Sequence, residues 1–172
     1  MLISIGKGPK PAADITDALL ECHERIRSFT RLTLTLASRP ELPESEVLDV
    51  AARIERYFQV ALPLHVRDEE ESLLPRLRGL EPAVDDALAR MHAEHLEHGA
   101  VLQRLFAALA DVKAAPLDTK ARATLLDAGN ALSAAFEPHL VTEEDVIFPA
   151  LRRRLDASTR QAMLDELRAR RG

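Results

Sequence analysis

The sequence holds a single cysteine, Cys22, in 172 residues. One thiol excludes an internal disulfide and any metal site built from several thiolates. Tryptophan is absent, and aromatic residues make up only 3% of the chain. Strands favour aromatic and β-branched residues, so this scarcity argues against a sandwich or barrel. Long apolar runs are missing too. The first, Met1 to Ile5, is too short for a signal-peptide core, and no stretch approaches a membrane span. There is no excess of positive charge: a net charge of -5 gives no general case for nucleic-acid binding. Together these absences read as a cytoplasmic chain with no nucleic-acid or membrane partner.

The remainder is 47% hydrophobic and 30% charged, as in a globular protein of about one domain. Its abundant Ala, Leu, Arg and Glu favour helices packed by aliphatic side chains. The opening segment carries Gly6, Gly8, Pro9 and Pro11 and reads as an arm over residues 1–13. A helical stripe then runs through Ile15, Leu19, His23, Ile26, Phe29, Thr33 and Leu36, with Asp14 as its N-cap. Arg39-Pro40 and Pro43 stop it. A second stripe passes Val47, Ala51, Ile54, Phe58 and His65, with a kink expected at Pro63 and a stop at Gly79. A third starts near Pro82 and follows Val84, Leu88, Met91, His95, His98, Leu102 and Leu105. A fourth starts near Asp118 and follows Leu125, Leu132, Phe136, His139 and Glu143, with a kink expected at Pro138. The fold class is therefore all-α: an up-down-up-down four-helix bundle over 14–155, closed by a short C-terminal helix within 156–172.

An internal repeat carries the chemistry. Residues 65 to 75 read H-V-R-D-E-E-E-S-L-L-P, and 139 to 149 read H-L-V-T-E-E-D-V-I-F-P. His, Glu, Glu and Pro recur at an offset of 74 residues, and His23 and His95 are 72 apart. The chain looks like two copies of a helix pair, whose matching residues converge on a pseudo-twofold axis. In H-x-x-x-E the two side chains share one helix face, about 6 Å apart along the axis. His65 with Glu69, and His139 with Glu143, can thus each address a metal from a stripe otherwise filled by Leu, Ile and Phe. A buried carboxylate without a partner costs several kcal/mol or protonates. Imidazoles and carboxylates with no thiolate suit iron, manganese or zinc. Glu70 and Glu144 lie one residue off the stripe and read as outer-sphere or solvated groups. His95 lies on the core stripe of the third helix, His98 on the adjacent line as a candidate further ligand, and His92 outside both. Tyr57 and Cys22 read as packed core residues. The arginines at 152–154, 168 and 170–171 read as a solvated face or a contact surface.

These motifs, with E-C-H-E-R-I around His23 and A-E-H at 93 to 95, resemble the hemerythrin-like, HHE cation-binding family over about residues 14 to 155. The resemblance implies a four-helix bundle with a non-haem di-iron centre. Carried over position by position, it implies metal ligation by His23, His65, Glu69, His95, His139 and Glu143. Glu69 and Glu143 would bridge two iron ions, with His23 and His65 on one side and His95 and His139 on the other. Oxygen-carrying hemerythrins resemble H-x-x-x-H on the third helix and H-x-x-x-x-D on the fourth. This chain has neither. The implied function is a di-iron protein, monomeric or homodimeric, that binds or senses a small diatomic ligand or peroxide, or handles iron. Peroxidase-like or iron-donating repair chemistry, or a structural-metal bundle, are the alternatives. No acid, base or nucleophile stands out beyond the six, which favours a binding protein over an enzyme.

Overall fold

A computed structural model describes residues 14–172; the arm expected over 1–13 lies outside them. Five helices follow one another, and no strand occurs among the described residues. Helix α1 is Ile15–Ser38. Helix α2 spans 44–77, α3 is Pro82–Ala114, α4 spans 119–154, and α5 is Ala157–Ala169. None of the described helices is long and apolar enough to cross a membrane.

Local chemistry sets the boundaries. Asp14 accepts a hydrogen bond from Thr16 N at 3.0 Å, which caps α1. Arg39, ahead of Pro40, leaves the helical region at φ -114°, ψ 78°. Gly79 adopts φ +83°, a conformation that costs a residue without Cβ little, and this ends α2. Pro82 opens α3, where its missing N–H is no loss. Asp118 caps α4 through Lys120 N at 3.0 Å, and Asp156 caps α5 through Thr159 N at 2.7 Å. Short connections make successive helices antiparallel, and α4 packs back onto α1 to close the bundle.

Two helices are not regular. Within α2, π-helical turns occupy Tyr57–Ala61 and Asp68–Leu73. Within α4 another occupies Glu143–Ile147. In each, the bond spans five residues: Leu62 N to Tyr57 O, Leu74 N to Glu69 O, and Phe148 N to Glu143 O. Each widened turn is followed, two residues past its end, by a proline: Pro63, Pro75 or Pro149. Proline inside a regular turn clashes with the carbonyl four residues back. The extra residue of a π turn re-routes that carbonyl, so the break expected at Pro63 takes this form. Pro138, by contrast, lies in the uninterrupted α segment Thr119–Thr142, and the irregularity comes five residues later.

The core divides into two apolar layers. One contains Ile26, Leu36, Ile54, Phe58, Leu105, Leu109, Leu125 and Leu132. The other contains Ile15, Leu19, Leu73, Leu77, Met91, Ile147, Phe148 and Leu151, and α5 covers it with Met163, Leu164 and Leu167. On the first three helices the chain passes from one layer to the other across a histidine, His23, His65 or His95, and on the fourth it does so just past His139 and Leu140. A polar layer is thus held between two apolar ones. Leu105 is fully buried in the first layer. Leu105→Ala should lower the unfolding free energy by about 2–5 kcal/mol, measured by denaturant titration, because a cavity replaces the lost side chain.

Candidate metal centre

Six side chains meet in the polar layer. Glu143 is the first residue of a π turn and Glu69 the second residue of another, each four residues after its histidine. Glu69 has no exposed surface, His23 none, and Glu143 1%. Four imidazole Nε2 atoms point at the two carboxylates. His65 Nε2 lies 3.2 Å from Glu69 Oε1, and His23 Nε2 lies 3.8 Å from the same oxygen. His95 Nε2 lies 3.3 Å from Glu69 Oε2. On the other carboxylate, His23 Nε2 is 3.1 Å from Oε2 and His139 Nε2 is 3.1 Å from Oε1.

These approaches are not hydrogen bonds. Nε2 of His23, His65 and His95, and all four oxygens of Glu69 and Glu143, are buried and have no hydrogen-bond partner among the described residues. Seven such atoms in one place contradict the rule that buried polar groups are paired. Their spacing is that of ligand atoms on a shared ion: at bonds of about 2.1 Å, neighbours on one metal stand about 3 Å apart. The atoms form two groups: His23, His65, Glu69 and Glu143, and then Glu69, His95, His139 and Glu143. Both carboxylates belong to both groups, each turning one oxygen to either side. Each group offers a cation imidazole and carboxylate ligands, and Glu69 and Glu143 are common to both.

The outer face of the rings is organised as well. Glu144 accepts from His23 Nδ1 at 2.8 Å, Glu70 from His95 Nδ1 at 2.7 Å, and Glu94 from His139 Nδ1 at 2.8 Å. A carboxylate on the far nitrogen fixes the tautomer and makes the near nitrogen a better ligand. Glu70 and Glu144 thus stand in the outer position expected of them. Glu94 is new, with no repeat or stripe to point to it. Arg27 anchors Glu144 at 2.8 Å, and exposed His92 leans on Glu70 at 2.9 Å. His98 falls outside both metal-capable groups. It stacks on Phe136 with centroids 4.1 Å apart. Tyr57 stacks on Phe29 at 4.0 Å, and Cys22 is partly buried. The arginines read as a solvated face or a contact surface form ion pairs within the chain: exposed Arg152 on Asp17 and exposed Arg153 and Arg154 on Glu81, and Arg170 and Arg171 on Asp68.

Protonation in the metal-free cluster follows from burial and crowding. Burial, then the charge of Glu69, pushes Glu143 up to about 8. Burial opposes the charge of Glu69 too, but His65, His23 and His95 around it hold it well below the usual range. The two acids thus share one proton at neutral pH. Burial works to lower His23, yet the carboxylates of Glu143 and Glu69 raise it to about 10. The same contest, with Glu69 and Glu70, raises His95 to about 9. Burial prevails at His65, lowered to about 4, and also lowers His139.

A family model for the hemerythrin HHE cation-binding domain matches residues 14–123 and again 102–171. The chain belongs to this family. No curated protein matches it. Membership and geometry agree on a cation-binding helical bundle whose His/Glu clusters can hold metal.

Beside the HHE centre lies a cavity of about 40 Å³. His65, His95, His98 and His139 supply its polar wall, and Ile26, Leu62, Leu102 and Phe136 much of its apolar wall. A single water needs ~10–15 Å³ by the same measure, so two or three small atoms fit. Burial, then neighbouring His139 and His95, lowers His98 to about 4, so it faces the cavity neutral.

Proposed function

We propose that the chain is a non-haem di-iron protein that binds oxygen, nitric oxide or peroxide in the cavity beside its metal layer. The observation that carries this reading is the set of seven buried, unpartnered ligand atoms shared across two carboxylates. His23 and His65 would hold one iron, His95 and His139 the other, and Glu69 and Glu143 both. Bound iron supplies one-electron redox chemistry and an open coordination position. The chain supplies the rest. Glu144, Glu70 and Glu94 hold three of the rings in orientation. The apolar layers exclude bulk water. The cavity selects by size and meets the metal layer along His65, His95 and His139.

Anaerobic reconstitution with Fe(II), metal analysis and titration with nitric oxide or oxygen test the proposal. The expected result is two irons per chain and a saturable change in the visible spectrum. Less than about one metal per chain after reconstitution overturns it. A second reading, turnover of peroxide, is favoured by His98, a polar side chain on the cavity wall outside both ligand groups and able to hydrogen-bond a bound peroxide. Steady consumption of peroxide with a reductant supports it, and purely stoichiometric reaction refutes it.

A further inference from the structure

The two halves of the metal layer are not equivalent. On the His95/His139 side both rings rest on carboxylates, Glu70 at 2.7 Å and Glu94 at 2.8 Å. On the His23/His65 side only His23 does, through Glu144 at 2.8 Å. His65 Nδ1 is buried with no hydrogen-bond partner among the described residues. Asp68, the nearest acid along the chain that is not a candidate ligand, has both oxygens on arginine, 2.9 Å from Arg170 and 2.6 Å from Arg171.

The internal repeat explains the gap. Offsets of 72 to 74 residues relate His23 to His95 and Glu70 to Glu144, and each such His–Glu contact has its counterpart. The same operation carries Glu94 to position 22, which is cysteine. Where one half has an acid to hold His139, the other has the Cys22 thiol. Burial raises the pKa of that thiol, and the Arg171 guanidinium lies nearby. Fixed charge differs in the same sense. Glu144 is neutralised by Arg27 and Asp68 by Arg170 and Arg171. The one arginine or lysine paired with Glu94 among the described residues is exposed Arg90, at 3.8 Å.

We propose that the two metal positions differ in affinity: the His95/His139 position fills first and holds its ion, and the His23/His65 position is the exchangeable one. This rests on the metal-binding reading above. Losing an outer carboxylate from a metal-ligating histidine typically costs 10–100-fold in affinity, so a gap of at least about tenfold is expected. Repulsion between two cations weakens whichever binds second, so the assignment of position is the decisive point.

Zinc(II), diamagnetic, is added to the metal-free full chain while the imidazole nitrogens are followed by NMR. At one equivalent, His95 and His139 should show bound signals and His65 a free one, with His65 changing only during the second. Glu94→Gln should weaken the first equivalent 10–100-fold. Cys22→Glu, which restores the missing partner, should narrow the gap about tenfold. Parallel or reversed filling in the unaltered chain overturns the inference while leaving the metal reading intact. Failure to bind about one zinc overturns both. The spectra of the unaltered chain decide the matter even where a variant fails to fold.

Discussion

Glu69→Gln is expected to empty both metal positions. The side chain keeps its size, and the amide loses the charge and one of the two equivalent oxygens. Glu69 Oε1 faces His65 and His23, and Oε2 faces His95, so the substitution weakens both groups at once. Changing an outer partner costs 10–100-fold. A shared inner carboxylate should cost roughly 1000-fold or more, about 4 kcal/mol at 1.4 kcal/mol per tenfold. Glu143→Gln should behave alike, since its oxygens face His23 and His139. The control is Glu70→Gln, which touches only Nδ1 of His92 and His95 and should stay within the milder range. The metal-free fold should survive, because the two acids share one proton at neutral pH, and Glu143 can carry the single negative charge once Gln replaces Glu69. The check is metal content after dialysis together with the helical circular-dichroism signal. A variant that stays helical and keeps two ions refutes the shared-carboxylate arrangement.

The residues that build the layer and those that tune it differ in how well sequence reveals them. His23, His65, His95 and His139 interrupt stripes of Leu, Ile and Phe at helical spacing, and that periodicity is enough to place them inside. The offset of 74 residues brings Glu69 and Glu143 together without any structure. The outer carboxylates are harder because they act between helices. Glu144 serves a ring 121 residues away and Glu94 one 45 residues away. Which neighbour such a residue meets depends on the rotation of each helix in the bundle, and a stripe does not fix that. The π turns leave a trace only in retrospect. Proline two residues after a widened turn occurs three times, but Pro138 has the same local appearance and sits in a regular helix. The C-terminal arginines read as surface charge because Asp68, which receives two of them, carries no sign of its burial.

The π turns also bear on what the layer can hold. Glu69 O and Glu143 O accept the widened bonds from Leu74 and Phe148. The backbone of each central carboxylate is thereby fixed at the start of an irregular turn. The following residues pass at once into the second apolar layer through Leu73 and Ile147, both with no exposed surface. The acids are therefore held by tight packing on one side and by rings on the other. A site held this way keeps its like-charged acids together even without metal, and the cost appears as displaced protons.

Those protons give the second large effect. In the metal-free chain at pH 7, His23 (about 10) and His95 (about 9) are protonated, and Glu143 (about 8) carries the proton shared with Glu69. His65 (about 4) is already neutral. A metal takes only deprotonated ligands, so loading both positions should release about three protons. The overall two-metal constant should therefore fall by roughly 1000-fold for each pH unit below 7. The folded pKa values of these three groups lie above their unfolded ones, so protonation favours the metal-free fold. That contribution is complete below the unfolded values and is lost as pH rises through about 8 to 10. Metal-free stability should thus fall over the same range in which metal affinity climbs. The rise in Tm on loading should widen steadily from pH 6 to 9. Calorimetric titration in buffers of different ionisation enthalpy counts the protons. A count near zero, or a Tm increment flat with pH, would mean that metal ions and protons do not compete for these rings and acids.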